Sequence, residues 1–138
     1  MIFLLYLVMI KRFYLILFFI FSVQVVSFSQ YCTNGGPSNT EDSNVESISI
    51  FGESSTSIQY TGCPGVIGIQ DLTNLSVLLD AGASYSLSVQ FGTCGGDYAG
   101  AGEVWIDFNN DLVFDQSESI GVWTGTPPTS ISNFNFTV

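Results

Sequence analysis

The segment 107–118 gathers the side chains in this sequence that are best suited to chemistry. Side-chain oxygens recur there at positions 1, 3, 5, 9 and 12, which are Asp107, Asn109, Asp111, Asp115 and Glu118. This is the ligand register of an EF-hand-type calcium loop, in which position 7, here Val113, adds its backbone carbonyl and position 12 binds with both carboxylate oxygens. Four carboxylates so close in sequence repel one another unless a cation neutralises them.

Two features of this segment depart from a plain EF-hand. Position 6 is Leu112, where glycine is expected, and a branched side chain at positive φ costs about 1 kcal/mol or more. The preceding residues 104–108 alternate in a way that predicts a strand rather than a helix. We therefore expect a calcium loop at a strand end, with Phe114 packed into the core. The alternative is a solvated acidic turn between two strands.

The charge balance excludes several kinds of function. The chain has 12 acidic residues, two basic ones and no histidine, and residues 30–138 hold every acid and neither base. Without cationic groups, this part cannot displace counterions from nucleic acid or bind an anionic membrane surface. Catalytic sites that need histidine or lysine are excluded as well, so we expect no enzymatic activity.

Aromatic side chains suggest a second kind of site. Trp105, Trp123, Tyr60 and Tyr98 could together form a platform on which a glycan stacks. Aromatic residues on strands belong more often to the core. Exposure of Trp105 and Trp123 on one face is the feature that would distinguish a glycan-binding module.

The N-terminal residues 1–29 predict a cleavable signal peptide, with Met9 as an alternative start. Two basic residues precede the unbroken apolar run 13–21, and small serines stand at −3 and −1 before Gln30. The alternative is a retained anchor, but about 14 apolar-rich residues fall short of the roughly 20 that a spanning helix needs. We expect a secreted or cell-surface protein with no membrane association after cleavage.

Export places the three cysteines where disulfide bonds persist. Cys63 and Cys94 lie in glycine-rich turns, and we expect them to pair. This bond would close a loop of about 30 residues and stabilise the fold by roughly 3–4 kcal/mol. Cys32 is then free, intermolecular or separated from its partner.

The elements that must position these residues are predicted to be strands. Apolar and polar residues alternate with a period of two in 47–50, 84–91 and 133–138. A turn at 81–83 predicts a hairpin between residues 77–80 and 84–91, and the glycine-rich segment 95–102 predicts a loop. Short strands at roughly ten-residue spacing predict one all-β domain over 30–138, an antiparallel β-sandwich of jelly-roll or Ig-like type.

These segments resemble the GEVED domain, a module of secreted and cell-surface proteins. The matching residues are Tyr31-Cys32, 45–50, 78–89 and, chiefly, 104–118, which corresponds to the family's W-I-D-x-N-x-D-G-x-F…E signature. Leu112 replaces the usual glycine of that signature. The Gly-Glu-Val-Glu-Asp motif that names the family is absent, so the resemblance implies a sandwich that is incomplete at its C-terminus. It also implies a partner for Cys32 in the missing part.

The resemblance implies a non-catalytic, adhesive or accessory module with a calcium-stabilised loop. It further implies other domains on a longer chain, with an extracellular glycan or protein as the partner. Two alternatives remain open from the sequence. One is an accessory domain of a secreted hydrolase, such as a peptidase, and the other is a glycan-binding module.

Overall fold

The computed structural model describes residues 35–138, in which strands dominate. The strands are β1 (Asn44–Phe51), β2 (Ser57–Thr61), β3 (Ser84–Gly92), β4 (Gly100–Trp105), β5 (Ser119–Gly125) and β6 (Ser132–Thr137). Helical structure within this range is limited to two 3₁₀ turns of three residues, Glu53–Ser55 and Gln116–Glu118. The predicted all-β class is therefore confirmed. The predicted signal peptide and Cys32 lie outside the described residues.

The strands form two antiparallel sheets. The larger has four strands in the order β2-β1-β3-β6, and the smaller is the β4–β5 hairpin. Cross-strand pairs such as Leu87 with Phe134 fix the register of β3 against β6. The period-two pattern then sends Val89 of β3 and Phe136 of β6 inward, where both are buried. The alternation seen in the sequence is thus the alternation that builds the buried face of the larger sheet.

The core lies where the hairpin packs against the four-stranded sheet. Val89, Phe91 and Phe134 form its buried cluster, and the hairpin adds Val104, Ile120 and Trp123. The Phe91 ring stacks on Trp123 with centroids 5.1 Å apart. Gly102 permits this approach, because a Cβ at that position would overlap the Phe91 ring. The missing side chain therefore lets the hairpin lie directly on the sheet.

The hairpin predicted between 77–80 and β3 is wrong, since residues 75–80 form no strand. β3 is already paired by β1 on one side and β6 on the other, so it has no edge left to offer. Leu78 bonds elsewhere: its N–H donates to the Thr56 hydroxyl and its carbonyl accepts from the N–H of Glu53. The tight turn at 80–83 therefore leads into β3 from an irregular segment.

The boundaries of β4 also differ from prediction. The strand begins at Gly100, inside the segment expected to be a loop, and it ends at Trp105 rather than at residue 108. A register shift between Val104 and Trp105 marks its end. Such an irregularity bends the strand and ends its pairing. The chain therefore leaves the sheet just before the acidic segment.

The predicted pairing of Cys63 with Cys94 is confirmed. Their Cα atoms are 5.5 Å apart, and 31 residues separate them in sequence. The bond joins the turn after β2 to the turn after β3. Those strands flank β1 in the sheet, so the bond ties together the chain segments at one end of three adjacent strands.

Candidate functional site

The acidic segment is the connection between the two strands of the hairpin. It leaves β4 after Trp105 and enters β5 at Ser119. At its base, the N–H of Ile106 donates to the carbonyl of Glu118 over 3.0 Å. The two ends of the loop are therefore held side by side, as a closed ligand loop requires.

The first half of the loop is organised by its own side-chain oxygens. The Asp107 carboxylate accepts from the N–H groups of Asp111 (3.2 Å) and Leu112 (2.9 Å). Asn109 Oδ1 also accepts from the N–H of Asp111, at 2.8 Å, and Asp111 Oδ1 accepts from the N–H of Val113, at 2.8 Å. Oxygens of Asp107 and Asn109 thus converge on a single amide. Carboxylate and amide oxygens are also the kinds of ligand that calcium binds.

Position 6 of the loop has the backbone conformation of a glycine site. Leu112 has a φ of 66°, and Asn110, two residues earlier, has a φ of 56°. Asparagine tolerates this left-handed region, whereas a leucine there is strained. The loop therefore turns as its ligand register demands, in spite of the leucine.

Replacing this leucine with glycine is expected to cost less stability than the same change at a leucine without a positive φ. Leu112→Gly should lower the free energy of unfolding by about 1 kcal/mol less than Leu75→Gly does, because relief of the positive-φ strain offsets part of the lost side-chain burial and of the entropy cost of glycine. Leu75→Gly is the matched control, since both leucines are 37% exposed but Leu75 has no positive φ. We expect the control to lower stability in urea unfolding. Equal losses of unfolding free energy in both variants would show that Leu112 is not strained.

Glu118 closes the second half of the loop from a buried position. Its side chain is 3% exposed. Oε1 accepts from the N–H of Phe108 at 3.1 Å, and Oε2 accepts from the N–H of Asp115 at 3.3 Å. One carboxylate therefore bridges both arms of the loop. A buried carboxylate is costly without a neighbouring cation, and residues 13–138 contain no lysine, arginine or histidine.

Asp115 caps the 3₁₀ turn that carries Glu118. Its Oδ1 accepts from the hydroxyl of Ser117 at 2.6 Å and from the N–H of Ser117 at 2.7 Å. These two bonds, the hydroxyl bond first, hold the pKa of the Asp115 carboxyl below its usual range. The ionised form of Asp115 is therefore favoured by the folded loop.

This shift predicts a pH-dependent contribution to stability. The folded pKa lies below the unfolded value of about 3.9, so the stabilisation is complete above that value and is lost as the pH falls through the folded pKa. Asp115→Asn should lower the urea midpoint near neutral pH in EDTA, and the gap to wild type should close in acid. Glu41→Gln corrects for the loss of one negative charge. A gap that is unchanged between pH 6 and pH 2 would contradict the prediction.

The loop carboxylates are spread along the loop rather than gathered at one point. Among the described residues, one group of three metal-ligating side chains lies within 4.8 Å: Glu46, Cys63 and Cys94. Those two sulfurs are bonded to each other, so this group offers no thiolate. Val113, the predicted carbonyl ligand, lies on the exposed part of the loop. Calcium in the loop stays a prediction.

Phe114 does not pack into the core, so that prediction is wrong. Its side chain is 47% exposed, and its ring lies 6.2 Å from that of Trp105. Phe108 instead approaches the larger sheet, with its ring 6.3 Å from that of Phe136. The chain leaves the hairpin at Trp105, which places Phe108 near the sheet and carries Phe114 outward.

The two tryptophans occupy different surroundings. Trp123 belongs to the core-packing face of the hairpin, where it stacks on Phe91, whereas Trp105 packs against Phe114. Strand register sets Trp123 opposite Gly102, three residues before Trp105. The structure therefore does not bring them together as one platform.

A cleft of about 360 Å³ brings together the other aromatic candidates. It lies between the larger sheet and the hairpin, and Tyr60, Tyr98 and Trp123 all line it. Thr93 lines it too, is 1% exposed, and its Oγ1 has no hydrogen-bond partner among residues 35–138. No feature of the sequence marks Thr93, because the cleft is assembled from segments far apart in the chain.

Comparison with known proteins identifies no relative: no protein-family model, curated protein or solved structure matches this chain. The resemblance to the GEVED domain therefore stays a prediction. Within residues 35–138, no helix has the length and apolar character needed to cross a membrane.

Proposed function

We propose that this protein is a non-catalytic, secreted or cell-surface module whose 107–118 loop binds calcium. Its role is adhesive or accessory to other domains. In this proposal the two sheets are the layers of a β-sandwich of jelly-roll or Ig-like type. The packing of Val104, Ile120 and Trp123 onto the larger sheet supports that arrangement.

The observation that carries the calcium proposal is the burial of Glu118. This carboxylate occupies position 12 of the register, is almost wholly buried and reaches both arms of the loop. The N–H groups of Phe108 and Asp115 donate to it, and no basic side chain follows Arg12 in the sequence. A divalent cation supplies the missing positive charge. Calcium suits the oxygen-only set of ligands and an open, flexible loop better than magnesium does.

The extracellular location rests on independent features. An apolar leader precedes the domain, and the Cys63–Cys94 disulfide suits an oxidising compartment. A chain without basic residues after Arg12 offers no cleavage site to proteases that cut after lysine or arginine. The resemblance to the GEVED domain points to the same location. In this proposal calcium is structural, because a ligand that binds only the folded state stabilises it.

Terbium luminescence tests the site directly, because Tb³⁺ substitutes for Ca²⁺ and is sensitised by a nearby tryptophan. Trp105 ends the strand that leads into the loop, two residues before Asp107. We expect saturable luminescence on tryptophan excitation, displaced by Ca²⁺ and much reduced in Trp105→Phe. Asp107→Asn should weaken Tb³⁺ binding at least tenfold, whereas the control Asp71→Asn should leave it unchanged. Equal binding in the two aspartate variants would overturn the calcium proposal.

A further inference from the structure

We propose that the cleft between the larger sheet and the hairpin binds an uncharged carbohydrate. Its volume of about 360 Å³ lies within the range of small-molecule sites, roughly 300–1,000 Å³. Its walls come from β1, β2 and β3 on one side and from the hairpin on the other. The site is separate from the acidic loop, and the proposal does not depend on a metal there.

The Thr93 hydroxyl is the first observation behind this assignment. It is buried and unpartnered within the described part of the chain, although folded proteins satisfy nearly all such groups. A ligand that merely fills apolar space would leave the hydroxyl unsatisfied. A ligand with hydroxyl groups can both donate to it and accept from it.

The aromatic rings supply the second observation. Trp123 is backed by Phe91 on one face, which fixes its ring, and Tyr98 lies at the exposed rim. Thr93, Tyr98 and Trp123 all line the cleft. The residue with the orphaned hydroxyl and the aromatic rings therefore line the same cleft. Sugar rings match this pairing, because they present apolar C–H faces edged by hydroxyl groups.

The negative charge of the chain indicates which carbohydrates the cleft can bind. The part of the chain after Arg12 contains 12 acidic residues and no basic one, so the cleft offers no cation for sulfate, phosphate or a sugar carboxylate. Neutral hexoses and N-acetylhexosamines can hydrogen-bond to the hydroxyl and stack on the rings, and they carry no negative charge for the acidic chain to repel. We therefore assign the cleft to neutral sugars rather than to acidic glycans.

Tryptophan fluorescence in a Trp105→Phe background tests the proposal, because Trp123 is then the single reporter. The probes are neutral trisaccharides of glucose, mannose, galactose and N-acetylglucosamine. We expect at least one to give a saturable change. Thr93→Val should weaken its binding about tenfold, because it removes one hydrogen bond to the ligand, and Tyr98→Ala should weaken it by a similar factor.

The same variants separate binding from folding. Thr93→Val should raise the melting temperature without ligand, because it removes a buried polar atom that has no partner. Thr124→Val, on the exposed part of β5, and Phe51→Ala are the matched controls; Phe51 is 66% exposed and Tyr98 64%. Both controls should bind like the parent. The proposal is overturned if no trisaccharide saturates, if Thr93→Val and Tyr98→Ala bind normally, or if Thr93→Val lowers the melting temperature.

Discussion

Saturating calcium is expected to raise the melting temperature of this protein by roughly 10–30 °C. A ligand present at 100 to 1,000 times its dissociation constant stabilises the folded state by about 3–4 kcal/mol. In a domain of about 100 residues, each kcal/mol raises the melting temperature by about 4–8 °C. The expected gain comes from the charge of the cation, which offsets the four carboxylates that the segment 107–118 carries. Thermal melts in EDTA and in excess Ca²⁺ measure the shift.

Glu118→Gln should abolish most of this shift. The amide keeps an oxygen that can accept from the N–H of Phe108, but it places an NH₂ group beside the N–H of Asp115 and removes the charge. We therefore expect a lower melting temperature in EDTA as well, from a loss of about 1–3 kcal/mol. Glu41→Gln is the control, because Glu41 is exposed and far from the loop in sequence. An identical calcium response in both variants would show that calcium does not bind in this loop.

Loss of the Cys63–Cys94 disulfide is the second large effect that we expect. The double variant Cys63→Ser/Cys94→Ser should lose roughly 3–4 kcal/mol of unfolding free energy, because the bond limits the unfolded chain across 31 residues. Urea unfolding at a fixed calcium concentration measures the difference. The folded structure loses few other contacts in this variant, since Cys63 is exposed and the half-buried Cys94 donates to Glu46 through its backbone N–H, which serine retains.

Cys32→Ser provides the control for this experiment. If Cys63 and Cys94 pair with each other, removing the third cysteine leaves the unfolding free energy unchanged. A comparable loss in Cys32→Ser would mean that Cys32 competes for one of the two partners. The pairing would then be a mixture, and the calculated contribution of a single closed loop would not apply.

Local sequence patterns predicted the features that depend on near neighbours. The alternation in residues 84–91 predicted β3, because a strand with one buried face needs a period of two. The glycine-rich turns around Cys63 and Cys94 predicted their pairing. The hairpin at 77–80 failed because the pairing of β3 is settled by β1 and β6, which are distant in sequence. A turn signal read from neighbouring residues contains no information about which distant strands pair with β3.

In the acidic loop, too, the features set by neighbouring residues were predicted and those set by distant contacts were not. The spacing of side-chain oxygens from Asp107 to Glu118 could be taken directly from the sequence, because it depends only on residue order. The burial of Glu118 was not, since it depends on how the base of the loop closes. Phe114 was assigned to the core from its hydrophobicity alone, and the direction in which the chain leaves Trp105 decided otherwise.

The β4–β5 hairpin links the two proposed sites. At one end it opens into the acidic loop, and near the other, at Gly100 and Trp123, it forms one wall of the cleft. Immobilising one end of a paired strand removes conformational entropy that binding at the other end would otherwise have to lose. Such coupling is reciprocal by thermodynamic necessity. A cation in the loop and a sugar in the cleft would then strengthen each other's binding, with no change in the average structure.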